Sequence, residues 1–183
     1  MIGNIVARRY ARALFALGQK QGDKELKAYG DDLASIADVL EGSPELFRIF
    51  RNPVISVSEK KGILTKVLGK LKPSKTISNF CHLLADKGRL DHLTEIQVYY
   101  AKLLDDYQGV LRGEIVTAIK LADNLKQDIV GKLEKQSGQQ VTLDYKVDPE
   151  IVGGLVLKVG DKVLDASIKA QLQILKENIK RGE

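Results

Sequence analysis

The side chains that could take part in catalysis are few and lie far apart in the sequence. His82 and His92 have no cysteine or carboxylate pattern around them with the spacing of a metal site. Asp31-Asp32 and Asp105-Asp106 are adjacent pairs in helical patterns, and neighbouring side chains on a helix point in different directions. Such pairs cannot readily share a proton. We therefore predict no catalytic residues and no metal ligands.

The glycines and the cysteine also fit structural positions better than chemical ones. Gly153, Gly154 and Gly160 match neither G-x-x-x-x-G-K-S/T nor a G-x-G-x-x-G that follows a strand. Turns and close packing explain them better. Cys81 is the only cysteine, so the chain has no internal disulfide, and its apolar helical surroundings are typical of a core residue. The sequence predicts no cofactor.

Length and charge limit the classes of protein that remain. The chain has 183 residues, enough for one or two small domains, and a net charge of +5. Acidic and basic residues are interspersed, which favours a solvated mixed surface over a nucleic-acid-binding face. A basic adaptor that binds nucleic acid nevertheless stays open as an alternative. We expect no membrane-spanning helix and no signal peptide, because no apolar run is long enough.

Apolar residues at helical spacing predict six short helices over residues 1–108. Asn4 is placed to cap the first helix, over residues 5–20, and Ser56 and Glu59 have the spacing of a capping box. Gly88 is expected to end the fifth helix. Tight, capped connections between short helices are typical of an antiparallel bundle.

The first predicted helix has an unusually wide apolar arc. One stripe of the arc is flanked by Ala7, Ala11 and Leu14. The stripe itself consists of Ile2, Val6, Tyr10, Ala13 and Leu17. A wide arc can bury one side in its own domain and leave a shallow apolar strip accessible. The alternative is that the whole stripe is core, which is the commoner use of such a pattern.

From Gly109 onward the pattern predicts the order β-α-β-β-β-α. A strand over residues 111–119 is followed by a helix from Asp123 to Gly138 and by an alternating strand over residues 141–147. Residues 155–159 and 162–164 form a hairpin around Gly160-Asp161. The last helix carries Ile168, Leu172, Leu175 and Ile179 on one face. The predicted class is α+β: an N-terminal six-helix bundle, residues 1–108, and a small mixed α/β domain, residues 109–183.

Motifs in both halves resemble, in the same order, those of one known family. They are Val6 through Phe15, Asn52-Pro53-Val54-Ile55, Phe80 through Leu90, and the set Gly153-Gly154, Gly160-Asp161, Asp165, Ser167-Ile168 and Leu172. The chain resembles the delta subunit of F-type ATP synthases, the family of the mitochondrial oligomycin-sensitivity-conferring protein. That family usually reads Asp-Gly-Ser where this chain has Ala166 in the middle. Because alanine tolerates positive φ poorly, we expect a slightly different turn there.

The resemblance implies a non-catalytic subunit of the peripheral stalk, or stator, present in one copy. It implies that the first domain holds the N-terminal helix of an alpha subunit in a groove between the first and fifth helices. By position, the groove residues would be Tyr10, Ala13, Leu14, Leu17, Phe80, Leu83 and Leu84. The second domain would hold the C-terminal end of the b subunits through Asp165, Ser167, Ile168 and Leu172. Association with the cytoplasmic face of a bacterial membrane would then be peripheral and indirect.

Two alternatives from other classes stay open at this point. A nucleic-acid adaptor would bind duplex or single strands in a salt-sensitive way. An enzyme with an unrecognised site would show a deep polar pocket.

Overall fold

A computed structural model describes residues 4–160 and 162–181. The described residues form eight α-helices and one four-stranded sheet, which confirms the α+β class. The chain divides into two compact units, Met1–Leu104 and Asp105–Glu183. No helix within the described residues combines the length and the hydrophobicity needed to cross a bilayer.

Six α-helices precede the first strand. They are α1 (Ile5–Gln21), α2 (Asp23–Glu41), α3 (Pro44–Arg51), α4 (Val57–Leu71), α5 (Lys75–Asp86) and α6 (Leu93–Gln108). A short 3-10 turn, Leu90–His92, comes immediately before α6.

Side-chain caps fix several of these helix ends as the sequence predicted. The Asn4 side chain accepts a hydrogen bond from the Val6 amide at 3.1 Å. In the capping box of α4, the Ser56 amide donates to Glu59 Oε2 at 3.0 Å, and the Glu59 amide donates to Ser56 Oγ at 3.3 Å. Gly88, with φ of 61°, follows α5. Local hydrogen bonding at these ends therefore determines where the helices stop and start.

One hydrophobic core fills the first unit. The apolar face of α2 is buried along its whole length and consists of Leu26, Tyr29, Leu33, Ile36 and Leu40. Tyr100 of α6 is also fully buried, and its hydroxyl donates to the Leu26 carbonyl oxygen at 3.0 Å. That bond satisfies the polar end of a buried aromatic side chain, and burial raises the pKa of Tyr100.

The second unit is a mixed sheet with one parallel pair. Its elements are β1 (Val110–Thr117), α7 (Asp123–Ser137), β2 (Gln140–Val147), β3 (Leu155–Val159), β4 (Lys162–Asp165) and α8 (Ile168–Arg181). The strand order is β2-β1-β3-β4, with β1 parallel to β2 and the other pairs antiparallel. Parallel strands need a long crossover connection, and α7 provides it between β1 and β2.

The core of the second unit is smaller than the alternating pattern predicted. Ile115, Val141, Leu143 and Leu157 are buried. Ile119, which the sequence predicted to lie within the first strand, lies beyond the end of β1 and is exposed. Val147 is also exposed, although it ends β2 on the face of Val141. The apolar alternation in the sequence therefore continues into residues that the core of the second unit does not cover.

The glycine pair after β2 lies directly against the turn that leads into α8. A Cβ atom on Gly154 would lie 2.3 Å from the Ala166 carbonyl oxygen, and one on Gly153 would lie 2.7 Å from Ile168 Cδ1. The Ile168 amide donates to the Gly153 carbonyl oxygen at 3.0 Å. The two glycines thus allow a close backbone approach that fixes where α8 begins.

The turn that contains Ala166 does not place this residue in the left-handed region. Among the described non-glycine residues, positive φ occurs at Lys72 and Val152, and Ala166 is not one of them. An alanine therefore fits this turn without left-handed strain.

We expect the substitution Gly154→Ala to destabilise the second unit by about 3 kcal/mol or more, because it combines left-handed strain with a clash against backbone. Gly160→Ala is the matched control: its φ is +56°, but a Cβ there meets no described atom within 4 Å. The control should cost only about 1 kcal/mol. Urea denaturation followed by circular dichroism measures both. Equal losses would contradict the close approach at Gly154.

Cys81 provides a second test, in the first unit. Its side chain is fully buried, and burial together with the nearby Asp32 carboxylate raises the pKa of the thiol from 9.0 to about 12. This raised pKa stabilises the folded state fully below pH 9, and the contribution is lost as pH rises towards 12. At pH 8 we expect a thiol reagent to label Cys81 about a thousandfold more slowly than in denaturant. An exposed control, Ser58→Cys, should label at once; fast labelling of Cys81 itself would contradict a closed core.

Candidate functional site

An open apolar groove of about 520 Å³ separates α1 from α5. Its lining consists of Ile5, Val6, Arg9, Tyr10, Ala13, Leu14, Leu17, Phe80, Leu83, Lys87 and Arg89. The rings of Tyr10 and Phe80 meet edge to face across the two helices, with centroids 6.2 Å apart. Each helix therefore forms one wall of the groove, and an aromatic contact joins the two walls.

Polar contacts near both ends of α1 show how it runs relative to α5. At the start of α1, Asn4 Nδ2 lies 3.0 Å from His92 Nδ1, in the 3-10 turn that follows α5 and leads into α6. At the end of α1, the Tyr29 hydroxyl bonds to Gln21 and also lies 3.1 Å from Thr76 Oγ1, near the start of α5. The start of α1 thus lies near the end of α5, so the two helices run antiparallel.

The predicted groove residues occupy different depths. Ala13 is exposed, and Leu17 and Leu83 are 49% and 45% exposed, so these three present apolar surface to solvent. Tyr10 is half-buried, and Phe80 forms a wall with 8% exposure.

Two of the predicted groove residues belong to the core. Leu14 lines the bottom of the groove but is only 1% exposed. Leu84 is fully buried and does not line the groove. Residues in the same helical turn can face either the core or the groove, as Leu84 and Leu83 do, and the apolar pattern of the sequence does not distinguish the two.

The alternative in which the whole stripe of α1 is core is wrong. The core takes the flanking residues Ala7, Ala11 and Leu14 instead. Ile2 lies outside the described residues. Sequence reasoning missed Ile5 and the three basic residues of the lining, Arg9, Lys87 and Arg89; the charges come from separate segments and meet only in the fold.

The second candidate surface is the apolar face of α8. Four large side chains share this face and are between 45% and 68% exposed: Ile168, Leu172, Leu175 and Ile179. Ile174 is 58% exposed but lies on another side of the helix. No residue of α8 belongs to the described core of the second unit. A helix with an uncovered apolar face is typical of a surface that another chain covers.

Asp165 and Ser167 fix the start of α8. Asp165 Oδ1 accepts a hydrogen bond from the Ser167 amide at 2.9 Å, and Ser167 Oγ accepts one from the Ala170 amide at 3.1 Å. The bonds from Ser167 lower the pKa of Asp165. Ser167 is 3% exposed, so it positions the helix, whereas Ile168 and Leu172 present its apolar face.

Neither surface has the composition of a catalytic site. The described residues contain no group of three histidine, cysteine, aspartate or glutamate side chains that could hold a metal ion. His92 lies 3.7 Å from Glu95 and 3.8 Å from Asp91 and bonds to Asn4, which gives it a structural position at the start of α1. What the two surfaces can do is bind amphipathic segments.

Comparison with known proteins gives full-length similarity. Residues 6–179 match the family model described as the ATP synthase delta (OSCP) subunit. The ATP synthase subunit delta of Oleidesulfovibrio alaskensis is 57% identical over 183 residues, covering 100% of both chains. That of Lawsonia intracellularis is 41% identical, covering 100% of this chain and 97% of the other.

A solved structure shares the fold. A chain in the cryo-EM structure of the Toxoplasma gondii mitochondrial ATP synthase hexamer superposes with a TM-score of 0.71 at 24% identity, over 96% of this chain and 98% of that one. The family match and the full-length relatives together settle the assignment: the chain belongs to the ATP synthase delta (OSCP) subunit family.

Proposed function

We propose that the chain links two parts of the ATP synthase through the two surfaces described above. As a member of the delta (OSCP) family it is a structural subunit of the peripheral stalk, and the complex, not this chain, is the enzyme. The stalk connects the catalytic head to membrane-anchored subunits, so that proton-driven rotation is coupled to ATP synthesis. In our proposal the six-helix domain, residues 1–108, holds the N-terminal helix of an alpha subunit, and residues 109–183 hold the C-terminal end of the b subunits.

The groove between α1 and α5 carries the first half of the proposal. An amphipathic helix that lays its apolar face into a hydrophobic groove is a recurrent mode of recognition. Covering the exposed halves of Leu17 and Leu83 contributes about 1 kcal/mol each. Ala13 between them lets a partner backbone approach closely.

The uncovered face of α8 supports the second half. Four large apolar side chains on that face are about half exposed, and covering each contributes about 1 kcal/mol. A surface of this kind on a 14-residue helix is suited to a long helical partner such as a stalk subunit.

The mechanism that follows is mechanical. Two differently built surfaces on one chain bind two partners and resist the torque that would otherwise turn the head with the rotor. The chain would then lie at the cytoplasmic face of a bacterial membrane, attached through its partners. The family assignment replaces the nucleic-acid adaptor that the positive charge had left open.

We expect Ala13→Asp and Leu83→Asp each to weaken binding of an alpha-subunit N-terminal peptide by about tenfold or more, because each buries a carboxylate at an apolar contact. Isothermal titration with the full chain measures this. Ala16→Asp makes the same change on α1 at an exposed position outside the groove lining and should leave the affinity unchanged. Unchanged affinity in both groove variants, with helicity retained, would contradict the groove assignment.

A parallel experiment addresses α8. Leu172→Asp should reduce capture of a C-terminal b-subunit fragment by about tenfold, and the fold should persist because Leu172 is 59% exposed. Gln171→Asp, the neighbouring exposed position, is the control. If both variants capture the b fragment as well as the parent chain does, the partner binds elsewhere.

A further inference from the structure

We infer that the groove between α1 and α5 is polarised by charge, so that it selects a helix with carboxylates at one end and fixes the direction in which that helix lies. The inference rests on the proposed function and adds the chemistry of the partner. The carboxylate-bearing end of the partner helix lies beside Lys87 and Arg89, and its apolar end lies beside Leu17.

The first observation is the sign of the charges around the groove. Arg9, Lys87 and Arg89 are exposed and line it, and no described aspartate or glutamate does. Within residues 4–160 and 162–181, none of the three forms an ion pair. Three unpaired cations beside exposed apolar surface are complementary to an acidic amphipathic helix.

The nearest acidic residues are directed elsewhere. Asp86 pairs with Lys61 at 2.5 Å. Asp91 and Glu95 line a different cavity, which they share with Arg48 and Arg51. Asp91 and Glu95 also lie within 4 Å of His92, but none of these three carboxylates forms an ion pair with a basic residue of the groove lining within the described residues.

The second observation is where the charges lie along the groove. Because α1 and α5 are antiparallel, Lys87 and Arg89 lie at the end where α1 begins, and Arg9 is in the first half of α1. The opposite end is lined by Leu17, and no charged residue beyond Leu17 belongs to the lining. The end beside Lys87 and Arg89 thus favours carboxylates on the partner helix, and the end beside Leu17 favours apolar side chains.

The free energy of exposed ion pairs is small, so these charges should set the direction and the association rate of the partner helix and contribute little to its affinity. Exposed ion pairs contribute about 0.2 to 1 kcal/mol each, which corresponds to a factor of about 1.4 to 5. Apolar contact supplies the rest of the binding. A helix lying in the reverse direction would lose the ion pairs and place its carboxylates against Leu17, so the correct direction should be favoured about tenfold.

The test uses the full chain and a fluorescent peptide with the N-terminal sequence of the alpha subunit from the same organism, with fluorescence anisotropy as the readout. Changing the carboxylates of the peptide to amides should weaken binding about threefold to tenfold at low salt and flatten the salt dependence. The double variant Lys87→Gln, Arg89→Gln should do the same. Lys24→Gln with Lys66→Gln removes the same charge at exposed positions outside the groove and should change neither.

Direction is measured separately by NMR with a nitroxide at one end of the peptide. A label at the carboxylate-bearing end should broaden the amide signals of Lys87 and Arg89 and spare Leu17. Equal broadening at both ends, or the reverse pattern, would overturn the fixed direction.

The remaining outcomes are distinguishable. If no peptide binds at any salt, the proposed function fails and this inference fails with it. If the peptide binds equally well with and without its carboxylates, only the inference fails. If Lys87→Gln, Arg89→Gln leaves peptide binding intact but abolishes binding to vesicles of phosphatidylglycerol, the basic end serves an anionic membrane surface and the inference is wrong.

Discussion

The position of α1 depends on the burial of one narrow face of that helix. Ala7 and Ala11 are 1% and 0% exposed, and their small side chains let α1 lie close to the rest of the first unit. Leu14 beside them completes the anchored face. Since the helix is held on that side, its second apolar face cannot also enter the core, and it becomes the wall of the groove. Polar contacts also fix both ends of α1: Asn4 meets His92 at its start, and Tyr29 of α2 bridges Gln21 at its end to Thr76 of α5.

The second unit uses close backbone packing to present its own surface. Gly153 and Gly154 admit the turn at residues 165–167, and Ser167 caps α8 from a buried position. The start of α8 is thus defined by backbone contacts while its apolar side chains stay uncovered. Each unit therefore fixes the position of one helix, by a buried face in α1 and by backbone contacts and a cap in α8, and leaves an apolar face of that helix for a partner. This division suits a subunit that couples other subunits and carries out no chemistry.

The helix boundaries were largely predictable from the sequence because caps and apolar periodicity depend on residues close together in the chain. Asn4, Ser56 with Glu59, and Gly88 act through neighbours within a few residues, so their roles could be predicted from spacing. Whether Leu14 or Leu17 is buried depends on which helices pack against α1, and the sequence holds no local signal for that. For the same reason the sequence did not separate Leu84, which is fully buried, from its exposed neighbour Leu83, and it extended the first strand to Ile119, beyond the end of β1. The basic end of the groove was missed because Arg9 and Arg89 are distant in sequence.

The central claim is that one chain binds two partners at once through separate surfaces. The most direct measurement is analytical ultracentrifugation of the full chain mixed with an alpha-subunit N-terminal peptide fused to a carrier and with a C-terminal b-subunit fragment. Because the two surfaces share no residue, we predict a single species containing all three in equal number. Displacement of one partner by the other, or two binary complexes and no ternary one, would contradict the account.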